Sequence, residues 1–456
     1  VTYFEVVTHA FLPAIISYIA LFYISHLEAL KLNLKGMDEN DIPKLKKTFF
    51  EGIHFLVPIF VLIYLLVYMR LTASYSIFFA TITLIIVNLL NKIFKEKNFK
   101  NALIYWYNQT VVGFEKGALN MVSVGIAIAT AGIIVGAVGS TGLSTNLIIV
   151  IESIAKDNVI ILLFLTIILC LLLGMGLPTT ANYVVVASLM ATVLVDVGNA
   201  SGFIFPLIAV HLFVFYFGLM ADVTPPVGLA SYAAAAISGG DPLRTGAQAF
   251  WYSLRTGILP IVFLFNSELL LIGIESIWHG LMVIATSLIG ILVFTSATQG
   301  WFINKLRWYE IIIFLIISIS LLSPEFILNK FYPKYNYLSI EEINKKQFDY
   351  NKEIRIKITR LTEYGERYKL FVIEKNSFDE NFSLDDYGMS LVVEDNKTII
   401  DTLKWNGIAK KSGLDMGDII NEFKIENQNR PKKEIIYPIA LILLSIFGYL
   451  NIRRRI

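Results

Sequence analysis

Two short polar stretches interrupt long apolar runs, and they hold most of the side chains suited to chemistry. The first, Gly174-Met-Gly-Leu-Pro-Thr-Thr-Ala-Asn182, supplies Gly174, Gly176, Pro178, Thr179, Thr180 and Asn182. The second, Met220-Ala-Asp-Val-Thr-Pro-Pro-Val-Gly228, supplies Asp222, Thr224, Pro225, Pro226 and Gly228. Two consecutive prolines remove two backbone donors and clash with the preceding turn, so a helix must break there. A break at membrane depth exposes carbonyls that coordinate cations and half-helix amino ends that favour anions. Hydroxyl, amide and carboxylate oxygens are hard donors, which suit sodium rather than a soft metal. Asp222 is the only acidic residue between Asp196 and Asp241, and an acid inside an apolar segment is a functional candidate. A proline kink can also be a packing device. Two interrupted segments about 40 residues apart, both of the wrong length for a plain crossing, favour a shared site.

The elements that must position these residues are membrane spans. Of 456 residues, 56% are hydrophobic and 16% charged, with a net charge of +2. This excludes an ordinary soluble enzyme, a disordered chain and a nucleic-acid binder. Apolar runs long enough to cross the hydrocarbon core lie near 6–28, 49–69, 73–94, 119–139, 203–237, 256–273, 277–298 and 309–328, with a shorter one at 435–450. Lysines after the first and third runs, Arg244 and Arg255, Lys305 and Arg307, and the final Arg453, Arg454 and Arg455 then lie on the cytoplasmic side by the positive-inside rule. Arg244 and Arg255 read as topological anchors. The topology closes only if 159–195 returns to the side it left. Its arms, 159–173 and 181–195, each reach only about 22 Å, which fits a re-entrant hairpin; two short tilted spans give the same parity. The run 203–237 is too long for one straight crossing and breaks at its prolines.

The chain divides into scaffold or arm helices (1–98), a transport-domain segment holding the hairpin and the broken helix (99–275), two further spans (276–333), an external domain (334–433) and a terminal span with a basic end (434–456). Polar composition and alternating stretches such as Ile354-Arg-Ile-Lys-Ile-Thr359 and Tyr368-Lys-Leu-Phe-Val-Ile373 make the external domain β-rich. The fold class is an all-α polytopic membrane protein with a small external β domain. Cys170 is the single cysteine and lies in an apolar run, so it offers neither a disulfide nor a cysteine metal site. An intramembrane protease is an alternative, but the five histidines are scattered, no His-Glu-x-x-His occurs, and Asp222 has no partner in a second span. A scaffold displaying the β domain predicts uninterrupted helices, unlike 159–237, and a channel would want a charged filter. No cofactor and no metal other than sodium is expected. The start at Val1, without a signal-like segment, reads as a chain trimmed at its beginning.

Gly174-Met-Gly-Leu-Pro-Thr-Thr-Ala-Asn-Tyr-Val-Val-Val-Ala-Ser-Leu-Met190 resembles the signature of the large membrane subunit of tripartite ATP-independent periplasmic (TRAP) transporters, in the fused-permease branch. Ala221-Asp-Val-Thr-Pro-Pro-Val-Gly-Leu-Ala230, Gly239-Gly-Asp-Pro242, Phe11-Leu-Pro13 and His26-Leu-Glu-Ala-Leu-Lys-Leu32 resemble it too, over about residues 1–275. The resemblance implies an inner-membrane, sodium-driven elevator importer of organic anions (carboxylates) that receives substrate from a periplasmic TAXI-type solute-binding protein. It places the sodium sites where a hairpin tip meets an unwound helix. Family transport domains are inverted repeats with two of each, whereas this chain has one. The resemblance therefore implies an amino-terminal half and a small membrane subunit, in the same or a separate chain. Tyr387-Gly-Met-Ser-Leu-Val-Val393 and Gly407-Ile-Ala-Lys-Lys-Ser-Gly-Leu-Asp-Met-Gly-Asp-Ile-Ile420 resemble a PDZ-type module. There a loop at Tyr387, Gly388 and Met389 would present backbone NH groups to a peptide carboxylate; a degenerate PDZ-like fold without a peptide ligand is the other reading.

Overall fold

The computed structural model describes residues 3–36, 38, 42–95, 99–141, 154, 158–174, 179–200, 203, 205–225, 228–338, 353–362, 365–374, 388–394, 397–427 and 429–454. The helices are α1 (Tyr3–Lys31), α2 (Leu45–Gly52), α3 (Leu56–Ile63), α4 (Ala73–Lys95), α5 (Phe99–Ser140), α6 (Val159–Gly174), α7 (Thr179–Ala200), α8 (Leu207–Ala221), α9 (Leu229–Ser238) and α10 (Pro242–Phe265). They continue with α11 (Ile277–Gln299), α12 (Trp308–Leu322), α13 (Pro324–Phe331), the short α14 (Ile408–Lys411) and α15 (Ile436–Arg453). Six helical stretches among the described residues are long and apolar enough to cross a membrane, and the α12–α13 pair adds a seventh if counted as one span.

Burial separates a core from a periphery. Helix α8 is apolar on nearly every face, as a helix largely enclosed by others is; its buried residues include Val210, Phe213, Val214, Phe217 and Met220, while Leu207, Phe215 and Leu219 are exposed. It packs against α6, α7 and α10. Only 6% of the spans Leu45–Tyr68 and Ala73–Phe94 is buried, so those helices present apolar side chains to lipid or to another chain. The expected span 119–139 falls within α5.

Three boundaries differ from the sequence expectation. The run 256–273 belongs to a helix that begins at Pro242, where Asp241 caps it by accepting from Arg244 N at 2.8 Å, and that ends at Phe265 before a 3-10 turn at Ser267–Leu270. Arg255 consequently lies mid-helix, not in a loop. Its Nε donates to Ser17 O at 3.3 Å and its Nη1 to Tyr252 O at 2.5 Å, tying α10 to α1. The run 309–328 stops at Leu322, because Pro324 disfavours helix at Ser323, whose φ of −139° is extended. The next helix turns away by 96°. The helix over the expected arm 181–195 runs from Thr179 to Ala200.

The β domain forms one sheet with β1 (Tyr335–Leu338), β2 (Glu353–Thr362), β3 (Gly365–Glu374), β4 (Met389–Glu394), β5 (Lys397–Leu403) and β6 (Ile419–Glu426). Its order is β3-β2-β6-β5-β4, with β1 also pairing β6, and every pairing is antiparallel. The stretches read as strands from their alternation are β2 and β3, and Ile354, Ile356 and Ile358 all point into one core with Ile420 and Phe423. Arg360 of β2 grips Asp418 with two bonds, Nε to Oδ1 at 2.7 Å and Nη2 to Oδ2 at 2.6 Å. This bond holds the guanidinium pKa above its usual range. Nearby, the Lys410 ammonium bonded to Asp415 keeps that carboxyl below its usual range.

The domain is tied back to the bundle at both ends of α15. Glu268 pairs with Lys433 at 2.5 Å. At the far end Arg454 pairs with the buried Glu310, which also accepts from Arg307 N at 2.8 Å, and three hydrogen bonds join Asn304 to Asn451. Helix α11 meets α12 at Gly290, where a Cβ would lie 2.9 Å from Leu322 Cγ, the close approach that small residues allow. Lys31, Gln299, Lys305 and Arg454 gather at one end of the bundle, and the sheet sits at the other.

Asp418→Ala removes the buried two-bond carboxylate and leaves Arg360 only one carboxylate, that of the half-exposed Asp415, at 3.3 Å, and is expected to cost on the order of 3 kcal/mol. Hydrogen exchange of the full protein should then show β2 and β6 amides exchanging about 100-fold faster, with α11 and α12 unchanged. Acid acts in the same direction at Asp415: its depressed pKa contributes stability above the ordinary aspartate value of about 3.9, and this is lost as the pH falls through the depressed value.

Candidate functional site

Helices α6 and α7 pack side by side, and their open ends lie together. Val159 and, just beyond α7, Phe203 and Phe205 line one cavity with Phe265 at the end of α10. The chain turns back tightly there: Phe203 N bonds Gly198 O at 2.8 Å, and a Cβ on Gly198 would sit 2.7 Å from the Phe205 ring. Gly176 and Pro178, between the arms, lie outside the described residues, as does Pro226.

The closed end of this pair meets the broken helix. Thr179 Oγ1 donates to Asp222 Oδ2 at 2.7 Å, across 43 residues of chain. A Cβ on Gly174 would lie 2.2 Å from Ala221 Cβ and 2.6 Å from Asn182 Nδ2, so only glycine permits this approach. Asn182 is fully buried; its Nδ2 donates to Cys170 O at 2.9 Å, while its Oδ1 has no hydrogen-bond partner among the described residues. The bond to Cys170 fixes which way the amide points, because a carbonyl can only accept.

The break itself is partly self-satisfied. Thr224 Oγ1 donates to Met220 O at 2.7 Å, Gly228 N to Thr224 O at 3.0 Å, and Ala230 N to Asp222 O at 3.2 Å. Pro225 packs near Gly246 of α10, and Gly257 of the same helix lies against Met220. Tip and break thus meet part-way along α10, between its two ends. Of the residues expected here, Thr179, Asn182, Gly174 and Asp222 come together; Thr224 serves its own turn, and Thr180 is exposed.

Sequence reasoning missed four contributors, Cys170, Ser231, Tyr183 and His211. Cys170 acts through its backbone carbonyl, for which a side-chain pattern carries no signal. Ser231 closes the break by donating to Val223 O at 3.4 Å. Tyr183 Oη and His211 Nδ1 lie 3.1 Å apart, joining α7 to α8; Tyr183 stands one helical turn after Thr179, the only hint the sequence offered.

In the β domain, Gly388 has φ +70° and sits 3.2 Å, measured from an ideal Cβ, from Gly407 Cα. Met389 is buried in the sheet core as the first residue of β4, and Tyr387 lies outside the described residues.

With this geometry in view, the sequence model of the family described as "Tripartite ATP-independent periplasmic transporter, DctM component" matches residues 1–278. The chain belongs to that family. TRAP large components work with a periplasmic binding protein and a small membrane subunit, and they are transporters rather than enzymes. Residues 280–456 match a domain of unknown function, DUF3394. No curated protein and no solved structure matches.

Gly174→Ala should force the tip away from Ala221 and lower stability by roughly 1–3 kcal/mol. Thermal unfolding of the detergent-solubilised protein checks this, with Gly113→Ala, where nothing lies within 4 Å, expected to leave the midpoint unchanged or slightly raised.

Proposed function

We propose that this chain provides half of the transport domain of a sodium-coupled, elevator-type importer of organic anions. In this reading α6 and α7 are a re-entrant hairpin, and α8 and α9 are an unwound span. One sodium ion is held where they meet, by Asn182 Oδ1, the Asp222 carboxylate and hydroxyl or carbonyl oxygens beside them. The observation that carries the reading is the juxtaposition of a buried, unpartnered amide oxygen with the Thr179–Asp222 bond. A buried acceptor without a partner is costly, and a hard cation would offset that cost. The donors, all oxygen, fit sodium.

The remaining parts follow the same reading. The substrate is a carboxylate delivered by a TAXI-type binding protein. The amino-terminal half with the second hairpin, and the small membrane subunit, complete the machine. The membrane is the cytoplasmic one, with the basic loops inside and the sheet in the periplasm. The PDZ-like reading of that sheet rests on Gly388 preceding β4, which pairs only with β5 among the described residues. Such an edge is the kind that accepts an added peptide strand. Family membership does not favour a protease or an inert scaffold.

Asp222→Asn in the complete transporter should raise the sodium concentration for half-maximal uptake about tenfold or more, the effect of losing one interaction of about 1.4 kcal/mol. Uptake into proteoliposomes at varied sodium measures this. Thr179→Val, which keeps the carboxylate, separates ion binding from tip closure. Sodium dependence unchanged in folded Asp222→Asn protein would sink the assignment.

A further inference from the structure

A cavity of about 1490 Å³ opens between the sheet-bearing end of the bundle and the β domain, at a distance from the tip-and-break site. Its floor is hydrocarbon: Leu163, Phe164 and Ile167 of α6, Phe265 of α10, and Ile319 and Leu322 of α12. Its rim carries five basic side chains, Lys330, Lys334, Arg355, Lys424 and Lys433, against the carboxylates Glu268 and Glu325. Glu268 is engaged by Lys433 and Lys424 by Glu422 at 2.8 Å, and Lys330 and Lys334 stand against Glu325, so the rim keeps a positive balance. Three of the cations rest on aromatic rings: Arg355 and Lys334 lie 4.2 Å and 5.7 Å from the centroid of Tyr335, and Lys424 lies 5.0 Å from that of Tyr337.

The depth of this rim follows from α15: the stretch Lys433–Arg453 is long and apolar enough to cross a membrane, and its first residue lies on the rim. Beside it α13 turns 96° away from α12. Its Phe326 and Phe331 are exposed beside Lys330, the arrangement of a helix lying in the interface. The basic rim is therefore at headgroup level, and the floor below it faces the hydrocarbon region. A ligand matching both must carry negative charge at one end and hydrocarbon at the other; a small soluble anion would leave the floor unfilled.

We propose that this cavity binds an anionic phospholipid from the outer leaflet, its phosphate on the Lys330 and Lys334 side of the rim and its acyl chains against α6. The lipid would bridge the first hairpin arm and the β domain, whose β3 already packs on α7. This site does not depend on the sodium reading; its assignment to the outer leaflet rests on the orientation proposed above.

The test uses the complete native protein in mild detergent, titrated with phosphatidylglycerol and with phosphatidylcholine of the same chains and read by native mass spectrometry. Phosphatidylglycerol should bind in preference, and K330Q/K334Q should weaken it about 30-fold while leaving phosphatidylcholine unchanged. Lys330 is exposed and Lys334 half-buried, so the double variant should fold, with an unaltered unfolding midpoint as its control. Equal binding of the two lipids, or phosphatidylglycerol binding indifferent to the variant, would overturn the proposal. Displacement of the lipid by glycerol phosphate at equal concentration would also overturn it, by showing that the rim reads a free anion.

Discussion

The molecule depends on the meeting of two interrupted helical segments inside the bundle. Backbone breaks at such depth are tolerated only where protein or a polar cavity surrounds them. Here the residues flanking the two breaks pack on one another. The tip of the α6–α7 pair brings Thr179 to Asp222 and Asn182 to the Cys170 carbonyl, while the absence of a side chain on Gly174 lets Ala221 come close enough for both bonds to form. Had either segment been a plain helix, the polar groups of the other would lie against hydrocarbon at a cost of several kcal/mol each.

That contact needs a rigid surround, and α8 supplies it. Buried on most of its circumference, with Leu207, Phe215 and Leu219 exposed along one face, it is the centre of a packed group. Its neighbours α6, α7 and α10 then fix the level at which the prolines fall. The helices Leu45–Tyr68 and Ala73–Phe94 contribute little to this core, and their apolar surfaces suit contact with lipid or with further protein.

The carboxy-terminal region is joined to this bundle and does not hang from it by a linker. Helix α15 returns along α12 and is pinned at one end by Glu310 and Arg454 and at the other by Lys433 and Glu268. The sheet is thereby held over the open end of the α6–α7 pair, and β3 packs on α7. Movement of the pair relative to α12 must therefore strain or slide this contact, so the β domain is mechanically linked to the segment that carries the candidate site.

Much of this was legible in the chain itself. Hydropathy alone set the polytopic class, because apolar runs of this length leave no other stable place for the backbone. Alternation in 354–359 and 368–373 set two strands of the sheet, and the paired prolines at Pro225 and Pro226 set the break. Local chemistry of this kind depends on neighbours in sequence. What it could not determine were relations between distant segments: that Arg255 faces Ser17 from mid-helix, that Ser323 ends a span early with a sharp turn, that Cys170 matters through its carbonyl, and that Asn182 keeps one buried oxygen unpartnered. Those follow from which backbone atoms come within 3 Å after packing, and such distances are set by the shapes of whole helices rather than by the pattern along any one of them.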